Sequence, residues 1–242
     1  MLKTELKLDY SICRTTEKVP VIIVAAGSST RMGINKQFIE LGGMPVIART
    51  LKAFQNCDSI SNIILVVKTE DLFQMQMLCE EYKISKISDI VCGGDTRQES
   101  VLKGFSRLPK DCEKVLIHDG ARPFVRESVI CAVIDALSSH SGVLPAIQVK
   151  DTVKRVDSDG LVLDTIPREG LVYVQTPQGV NVKEYLDATQ KIDVSVFTDD
   201  ASIMEAAGYS VSTVEGSYKN IKITTKEDIA LANVFLSEEE EW

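Results

Sequence analysis

The chain has 242 residues, of which 44% are hydrophobic, and this is enough to bury the core of one sizeable α/β domain. Its formal net charge of −8 excludes a general binder of nucleic acid or of an anionic membrane, because either partner requires a broad basic surface. Any anion-binding site must therefore be local.

No segment has the composition of a membrane span or of a secretory signal. The apolar runs are far shorter than the roughly 20 residues that a spanning helix requires. The first ten residues, MLKTELKLDY, lack a continuous apolar stretch. The six cysteines and two histidines do not have the spacing of a zinc site. We expect a cytoplasmic protein.

Short apolar runs alternate with segments of helical periodicity, which is typical of a mostly parallel sheet covered by helices. The predicted strands are residues 21–26, 63–67, 115–118, 142–147 and 209–214. Pro45 can occupy the first position of a helix. The residues that share one face of this helix are Val46, Ile47, Thr50, Leu51 and Phe54.

Two more helices are indicated by their ends. Thr198 is predicted to cap the helix DDASIMEAAG, which ends at Gly208. Thr224 and Glu227 can form a capping box for the last helix.

A β-hairpin is predicted within residues 149–170, where two alternating segments flank Asp159-Gly160. Such a ribbon is marginal in isolation and must pack against something. Two partners are open: a second subunit, which we prefer, or the hairpin's own domain.

The loop in VIIVAAGSSTRMGINK, residues 21–36, follows a predicted strand and carries Arg31 and Lys36. Its glycine spacing fits neither of the two common phosphate-loop patterns. Small residues still let backbone N–H groups approach an anion closely. The loop is therefore either an anion-binding loop or an ordinary surface turn with two solvated cations.

Polar residues also stand in three further stretches, CGGDTRQES, HDGARPF and VQTPQG, which we expect at the edge where open α/β sheets bind ligands. In CGGDTRQES, the residues that could read a base or ribose are Gly93, Gly94, Asp95 and Ser100, although Asp95 could simply cap a helix. In HDGARPF, Asp119 could hold Mg²⁺ or act as a cap.

Late in the chain, alternation in NIKITT points Lys222 away from its apolar neighbours. It could contact a ligand or simply face solvent.

Eight stretches in this order resemble the 2-C-methyl-D-erythritol 4-phosphate cytidylyltransferase family. They are AAGSSTRMG, KQF, GGDTRQESV, HDGARPF, VKDTVKR, QTPQ, TDDAS and EGSYKNIKITT. The resemblance implies one domain over residues 19–236, an N-terminal extension over 1–18 and an acidic tail over 237–242. It also implies a doubly wound, Rossmann-like nucleotidyltransferase fold with a projecting β-hairpin arm, and a homodimer formed through that arm.

The resemblance implies transfer of a cytidylyl group from CTP to 2-C-methyl-D-erythritol 4-phosphate, with release of pyrophosphate, in isoprenoid precursor synthesis. The implied nucleotide-binding residues are Ala25, Ala26, Gly27, Ser28, Ser29, Gly93, Gly94, Asp95, Ser100 and Gly120. The implied catalytic residues are Arg31, Lys36, Arg168 and Lys222. The implied substrate-binding residues are Asp119, Thr152, Arg168, Thr176 and Lys222, with Thr152 and Arg168 supplied by the partner subunit.

The expected cofactor is Mg²⁺ with CTP, near Asp119. No general base is required, because a phosphate monoester with a second pKa of about 6 is already mostly ionised at neutral pH. Two alternatives are a ribitol-5-phosphate cytidylyltransferase, which shares the loop, TPQ and NIK stretches, and a noncatalytic nucleotide-binding module. The three cations Arg31, Lys36 and Lys222 argue against the second alternative.

Overall fold

The computed structural model describes residues 16–27 and 35–240, so Ser28, Ser29 and Arg31 lie outside the described residues. Apolar segments of this part form a large sheet and two short ribbons. In chain order the strands are β1 Val19–Val24, β2 Glu40–Leu41, β3 Met44–Pro45, β4 Ile60–Val67, β5 Ile87–Cys92, β6 Lys114–Asp119, β7 Gly142–Gln148, β8 Val153–Val156, β9 Val162–Ile166, β10 Val172–Val174, β11 Gln178–Asn181 and β12 Val211–Glu215.

Helices connect most of the strands. They are α1 Val46–Gln55, α2 Leu72–Glu81, α3 Arg97–Phe105, α4 Glu127–Ala136, α5 Val182–Lys191, α6 Asp200–Ala206 and α7 Lys226–Glu240. All five residues predicted to share a face of α1 are buried, which confirms that face. Pro45 lies just before the helix, at its N-cap position. None of the described helices combines the length and apolar character needed to cross a bilayer.

The large sheet has eight strands in the order β10-β7-β11-β6-β1-β4-β5, with β12 also paired to β7. Strands β6, β1, β4 and β5 are mutually parallel, and β12 runs parallel to β7. Among the described strands of this sheet, β10 and β11 are the two that run antiparallel to their neighbours. The predicted mostly parallel α/β sheet is confirmed.

Helices cover both faces of this sheet. Neighbouring residues of a strand point to opposite faces, so each buried strand contributes to two clusters. On β1, Ile23 packs in a cluster with residues of α1, α2 and α4. Its neighbour Ile22 packs in a second cluster with residues of α3, α5 and α6. The sheet is therefore doubly wound, as predicted.

Three strands of the large sheet were not predicted. β5 lies at an edge and is only partly buried, so its apolar pattern is weak. β10 and β11 are short and are separated by a cis peptide bond between Thr176 and Pro177.

Two helix caps differ from the prediction by one residue. Asp199 replaces Thr198 as the cap of α6, because its Oδ1 accepts a hydrogen bond from Ser202 N. At α7, Asp228 Oδ2 accepts hydrogen bonds from the backbone N–H groups of Thr224 and Thr225, so Glu227 does not fill the expected role. The left-handed Gly208 after α6 is confirmed. Because α7 continues to Glu240, part of the expected acidic tail is helical.

Strands β8 and β9 form a separate antiparallel ribbon. Gly160 has a φ of +83°, and Asp157 Oδ1 accepts hydrogen bonds from Asp159 N and Leu161 N across the turn. The turn is therefore longer than a two-residue hairpin. Large apolar side chains on the ribbon are exposed: Val156, Leu161, Val162 and Leu163.

Candidate active site

A cleft of about 590 Å³ opens where the parallel strands β1, β4, β5 and β6 end. The sequence-predicted residues that line it are Ala26, Gly27, Lys36, Gly93, Gly94, Asp95, Ser100, Asp119 and Lys222. Ala25, Gly120 and Thr176 are buried and do not line the cleft. Sequence segments that are far apart thus meet at one edge of the sheet.

One wall of the cleft is the turn between β5 and α3. The backbone of this turn passes so close to Ala26 that position 93 must be glycine, because a Cβ on residue 93 would lie 2.4 Å from the Cβ of Ala26. Gly94 N donates to Ser100 Oγ at 3.0 Å, and Thr96 caps α3 in a capping box with Glu99. Thr96 therefore has the capping role considered for Asp95, whose side chain remains exposed at the cleft.

Lys36 reaches the cleft from a short 3-10 helix, Lys36–Phe38. Asn35 fixes the start of this helix, since its Oδ1 accepts a hydrogen bond from Gln37 N at 3.2 Å. The side chain of Asn35 also donates to Asp71 Oδ2 at 2.8 Å. These contacts anchor the end of the loop that carries Lys36 to the main domain.

Three cations surround the carboxylate of Asp119. Lys222 Nζ lies 2.8 Å from Oδ2, Arg122 Nε lies 3.7 Å from Oδ2, and Arg97 Nε lies 3.7 Å from Oδ1. Burial alone would raise the pKa of Asp119, but Lys222 and Arg97 outweigh it and hold the pKa well below its usual range. The carboxylate is therefore ionised within a cluster that is positive overall.

Arg97 is also bound from behind the cleft. Its Nη2 lies 2.6 Å from Oδ2 of Asp200, which is fully buried at the start of α6. Burial would lower the pKa of Arg97, but the carboxylates of Asp200 and Asp119 raise it overall. The guanidinium thus bridges a buried carboxylate and the carboxylate at the cleft.

Thr176 and His118 form a buried hydrogen-bonded group next to Asp119. Thr176 Oγ1 accepts a hydrogen bond from Asp119 N at 3.1 Å and lies 3.0 Å from His118 Nδ1. His118 Nε2 lies 3.1 Å from Arg122 O. Burial lowers the pKa of His118 to about 3, so the ring is neutral and both nitrogens are engaged. His118 is therefore not placed to act as a general base.

Thr152 and Arg168 do not line the cleft of their own chain. Both side chains are exposed beside the β8–β9 ribbon, and Arg168 Nη1 donates to Lys150 O.

Comparison with known proteins identifies the family. The family model described as 2-C-methyl-D-erythritol 4-phosphate cytidylyltransferase matches residues 19–238. The chain belongs to this family. A cytidylyltransferase of that name from Halalkalibacterium halodurans is 48% identical over 225 residues, which cover 91% of this chain and 97% of the relative. The cytidylyltransferase from Geobacillus thermodenitrificans is 44% identical, with 89% and 96% covered.

Solved structures agree with the family assignment. A 4-diphosphocytidyl-2C-methyl-D-erythritol synthase from Anaerococcus prevotii superposes with a TM-score of 0.80 at 36% identity, covering 91% of this chain and 96% of that one. The cytidylyltransferase of Thermus thermophilus gives 0.74 at 28% identity, with 91% and 99% covered. This cytidylyltransferase is thus a nucleotidyltransferase of isoprenoid biosynthesis that uses CTP and 2-C-methyl-D-erythritol 4-phosphate.

Three charged residues that bind Asp119 directly or through Arg97 were not singled out in the sequence. Arg97 and Arg122 lie inside the GGDTRQES and HDGARPF stretches, and Asp200 lies in TDDAS. Their position inside stretches that carry the family resemblance was the sequence feature that could have identified them as site residues. Their pairing with Asp119 and with each other could not be read from local spacing.

The surroundings of Asp119 do not fit a magnesium ion held by the protein. Beside a nucleotide, Mg²⁺ takes one or two carboxylates together with phosphate oxygens and water, so each carboxylate ligand must be free to approach the ion. One carboxylate oxygen already faces Lys222 and Arg122, and the other faces Arg97. Within residues 16–27 and 35–240, no set of three possible metal ligands includes Asp119.

Proposed function

We propose that this cleft catalyses the cytidylyl transfer by direct attack of the substrate phosphate on the α-phosphorus of CTP. The observation that carries the proposal is the convergence of Lys222, Arg97 and Arg122 on the single carboxylate of Asp119 at the cleft. In this reaction the phosphate of the polyol must approach the negatively charged triphosphate of CTP. A local positive cluster in an otherwise acidic chain reduces the repulsion between these two anions.

The nucleotide occupies the side of the cleft that includes the turn at Gly93 to Asp95. The backbone at Ala26 and Gly27 and the ammonium group of Lys36 then face the triphosphate. Arg31, outside the described residues, is proposed to add a second cation on the same loop. Both charges act where negative charge develops during the transfer.

The polyol phosphate occupies the side of the cleft at Asp119 and Lys222. The ionised carboxylate of Asp119 can accept hydrogen bonds from the polyol hydroxyl groups, and Lys222 can contact the phosphate. Thr176 acts indirectly here, because its hydroxyl is already engaged by Asp119 N and His118.

The bond changes balance without a proton transfer to the protein. An oxygen of the ionised phosphate forms a bond to the α-phosphorus of CTP, and the bond from that phosphorus to the bridging oxygen of pyrophosphate breaks. The electron pair of the broken bond leaves with pyrophosphate, where Lys36 and Arg31 stabilise it. The engaged ring of His118 is consistent with a transfer that has no general base.

Magnesium enters this reaction as part of the substrate. We assign Mg²⁺ to the phosphate oxygens of a magnesium–CTP complex, because the carboxylate of Asp119 is shared among three cations. Asp119 then contacts the polyol.

A second subunit completes the site. The exposed apolar residues on the ribbon, Leu161 at 69% and Leu163 at 59%, support its packing against another protein surface. A homodimer with two-fold symmetry would place the same ribbon on each subunit's neighbour. Thr152 and Arg168, which do not line their own cleft, then contact the substrate of the partner subunit.

Pyrophosphate release tests the function. The protein is incubated with magnesium–CTP and either 2-C-methyl-D-erythritol 4-phosphate, ribitol 5-phosphate or no acceptor. Rapid release with the methylerythritol phosphate alone is expected. Faster release with ribitol 5-phosphate would reassign the acceptor, and no release with either acceptor would overturn the proposal.

A further inference from the structure

We propose that Asp200 is a positioning residue for the transfer, although it lies outside the cleft. By binding Arg97 from behind, Asp200 fixes the carboxylate of Asp119 and, through it, the ammonium group of Lys222. The inference rests on the proposed function of the cleft and deepens it. It concerns how the cluster that binds the polyol phosphate is held in place.

Asp200 is itself rigidly bound. Its side chain is fully buried, and its Oδ1 accepts a hydrogen bond from Tyr185 OH at 2.9 Å. Its backbone N–H donates to Gln178 Oε1 at 3.0 Å, as does that of Ala201. The remaining carboxylate oxygen, Oδ2, receives Arg97 Nη2 at 2.6 Å. One end of Arg97 is therefore fixed by the interior of the domain.

Arg97 has no comparable alternative anchor among the described residues. Its Nη1 is buried and has no hydrogen-bond partner in that part of the chain. Its side chain forms ion pairs with Asp200 at 2.6 Å and with Asp119 at 3.7 Å. Without the charge of Asp200, the guanidinium is expected to move onto Asp119.

Such a movement would change the site of the polyol phosphate more than that of the nucleotide. Asp119 pairs with Lys222 at 2.8 Å, so a closer Arg97 would compete with Lys222 for the same carboxylate. The turn at Gly94 is held separately, by Ser100 and Glu99. The KM for the polyol phosphate should therefore rise while the KM for CTP changes little.

Asp200→Asn tests this inference, because asparagine keeps the shape but removes the charge. We expect kcat/KM for the polyol phosphate to fall about 10- to 100-fold, the effect of a misplaced binding group. Asp187→Asn is the matched control, since it removes a carboxylate that pairs with Lys191 and has no ion pair with Arg97. This control should leave the ratio of the two KM values unchanged.

Two further measurements keep the test decisive. If Asp200→Asn does not fold, Arg97→Lys is tested in its place. The ammonium group of lysine cannot bridge both carboxylates, so this variant should also show a higher KM for the polyol phosphate. A crystal structure of the folded variant should show a longer distance between Lys222 Nζ and Asp119 Oδ2.

Each negative outcome has a separate meaning. The role of Asp200 alone would be overturned if the wild-type enzyme is active and the Asp200→Asn variant keeps both the wild-type KM values and the wild-type distance between Lys222 and Asp119. An equal rise in KM for Asp187→Asn would also overturn it, by showing an effect that does not depend on the Arg97 pair. A wild-type enzyme that releases no pyrophosphate would overturn the proposed function, while the crystallographic distance would still decide whether Asp200 positions the cluster.

Discussion

Lys222 Nζ lies 2.8 Å from Oδ2 of Asp119, although the two residues are far apart in the sequence. The pair joins the end of β6 to the segment after β12. Because Arg97 and Arg122 approach the same carboxylate, the pair belongs to a cluster with more positive than negative charge. We propose that this positive cluster lets an acidic chain bring two phosphorylated substrates together.

Lys36→Ala should slow turnover at least about 10²-fold, the usual cost of removing one preorganised charge from a transition state. The variant should fold normally, since Lys36 begins a short helix that Asn35 caps. Steady-state release of pyrophosphate measures the loss. Lys183→Ala, which removes an exposed lysine on α5, is the control. If Lys36→Ala turns over about as fast as the control, Lys36 has no role in the mechanism.

A subunit-mixing experiment tests whether Arg168 acts in trans. Arg168→Ala and Lys36→Ala homodimers should each be nearly inactive. After subunit exchange, each mixed dimer would contain one site with both Lys36 and Arg168. Statistical mixing should restore about a quarter of the wild-type activity. If Arg168 acted within its own chain, every mixed site would lack one of the two residues and no activity would return.

Leu163→Asp should weaken the dimer, because it places a charge on an apolar strand that we assign to the interface. Sedimentation at micromolar concentration should show a shift toward monomer. Phe73→Asp is a matched control, since Phe73 is 74% exposed on α2, which is not part of the ribbon. A Leu163→Asp variant that sediments as the wild-type dimer would exclude this face of the ribbon from the interface.

Much of the cleft could be predicted from the sequence, because the ends of parallel strands lie at one edge of a sheet. This rule brings Asp119, at the end of β6, to the edge where β1 ends, whereas β5, which precedes Asp95, was not predicted. The positions of Arg97 and Asp200 required the fold, since their contact joins α3 to α6 across buried space. No local pattern encodes such a pair.

Helix ends were predictable only to within one residue. The segments before α6 and α7 contain several neighbouring residues that can cap a helix, such as Thr198 and Asp199. Their capping free energies differ by less than about 1 kcal/mol, so the surrounding packing decides between them. Likewise β10 has only three residues, and this is too short for an alternating pattern to identify.

His118 should make the free energy of unfolding depend on pH. Burial lowers the pKa of His118 from 6.5 to about 3. The folded ring then stays neutral while the unfolded chain takes up a proton below pH 6.5, so this contribution to stability falls as the pH drops toward 3. The limiting slope for one such group is about 1.4 kcal/mol per pH unit.

His118→Gln should remove this slope, because glutamine does not titrate. Urea denaturation of the variant between about pH 7 and pH 4 should show a weaker loss of stability than in the wild type. His140→Gln, which replaces the chain's other histidine and leaves His118 in place, is the control. Identical pH profiles for His118→Gln and the wild type would contradict a neutral buried His118.

The stereochemistry of the transfer tests direct attack on CTP. A single diastereomer of CTP with sulfur on the α-phosphorus is used with 2-C-methyl-D-erythritol 4-phosphate, and the configuration of the product is determined by phosphorus NMR. One in-line displacement inverts the configuration at phosphorus, whereas a covalent enzyme intermediate requires two displacements. We expect inversion. Retention of configuration would contradict direct attack and require a nucleophilic residue in the cleft.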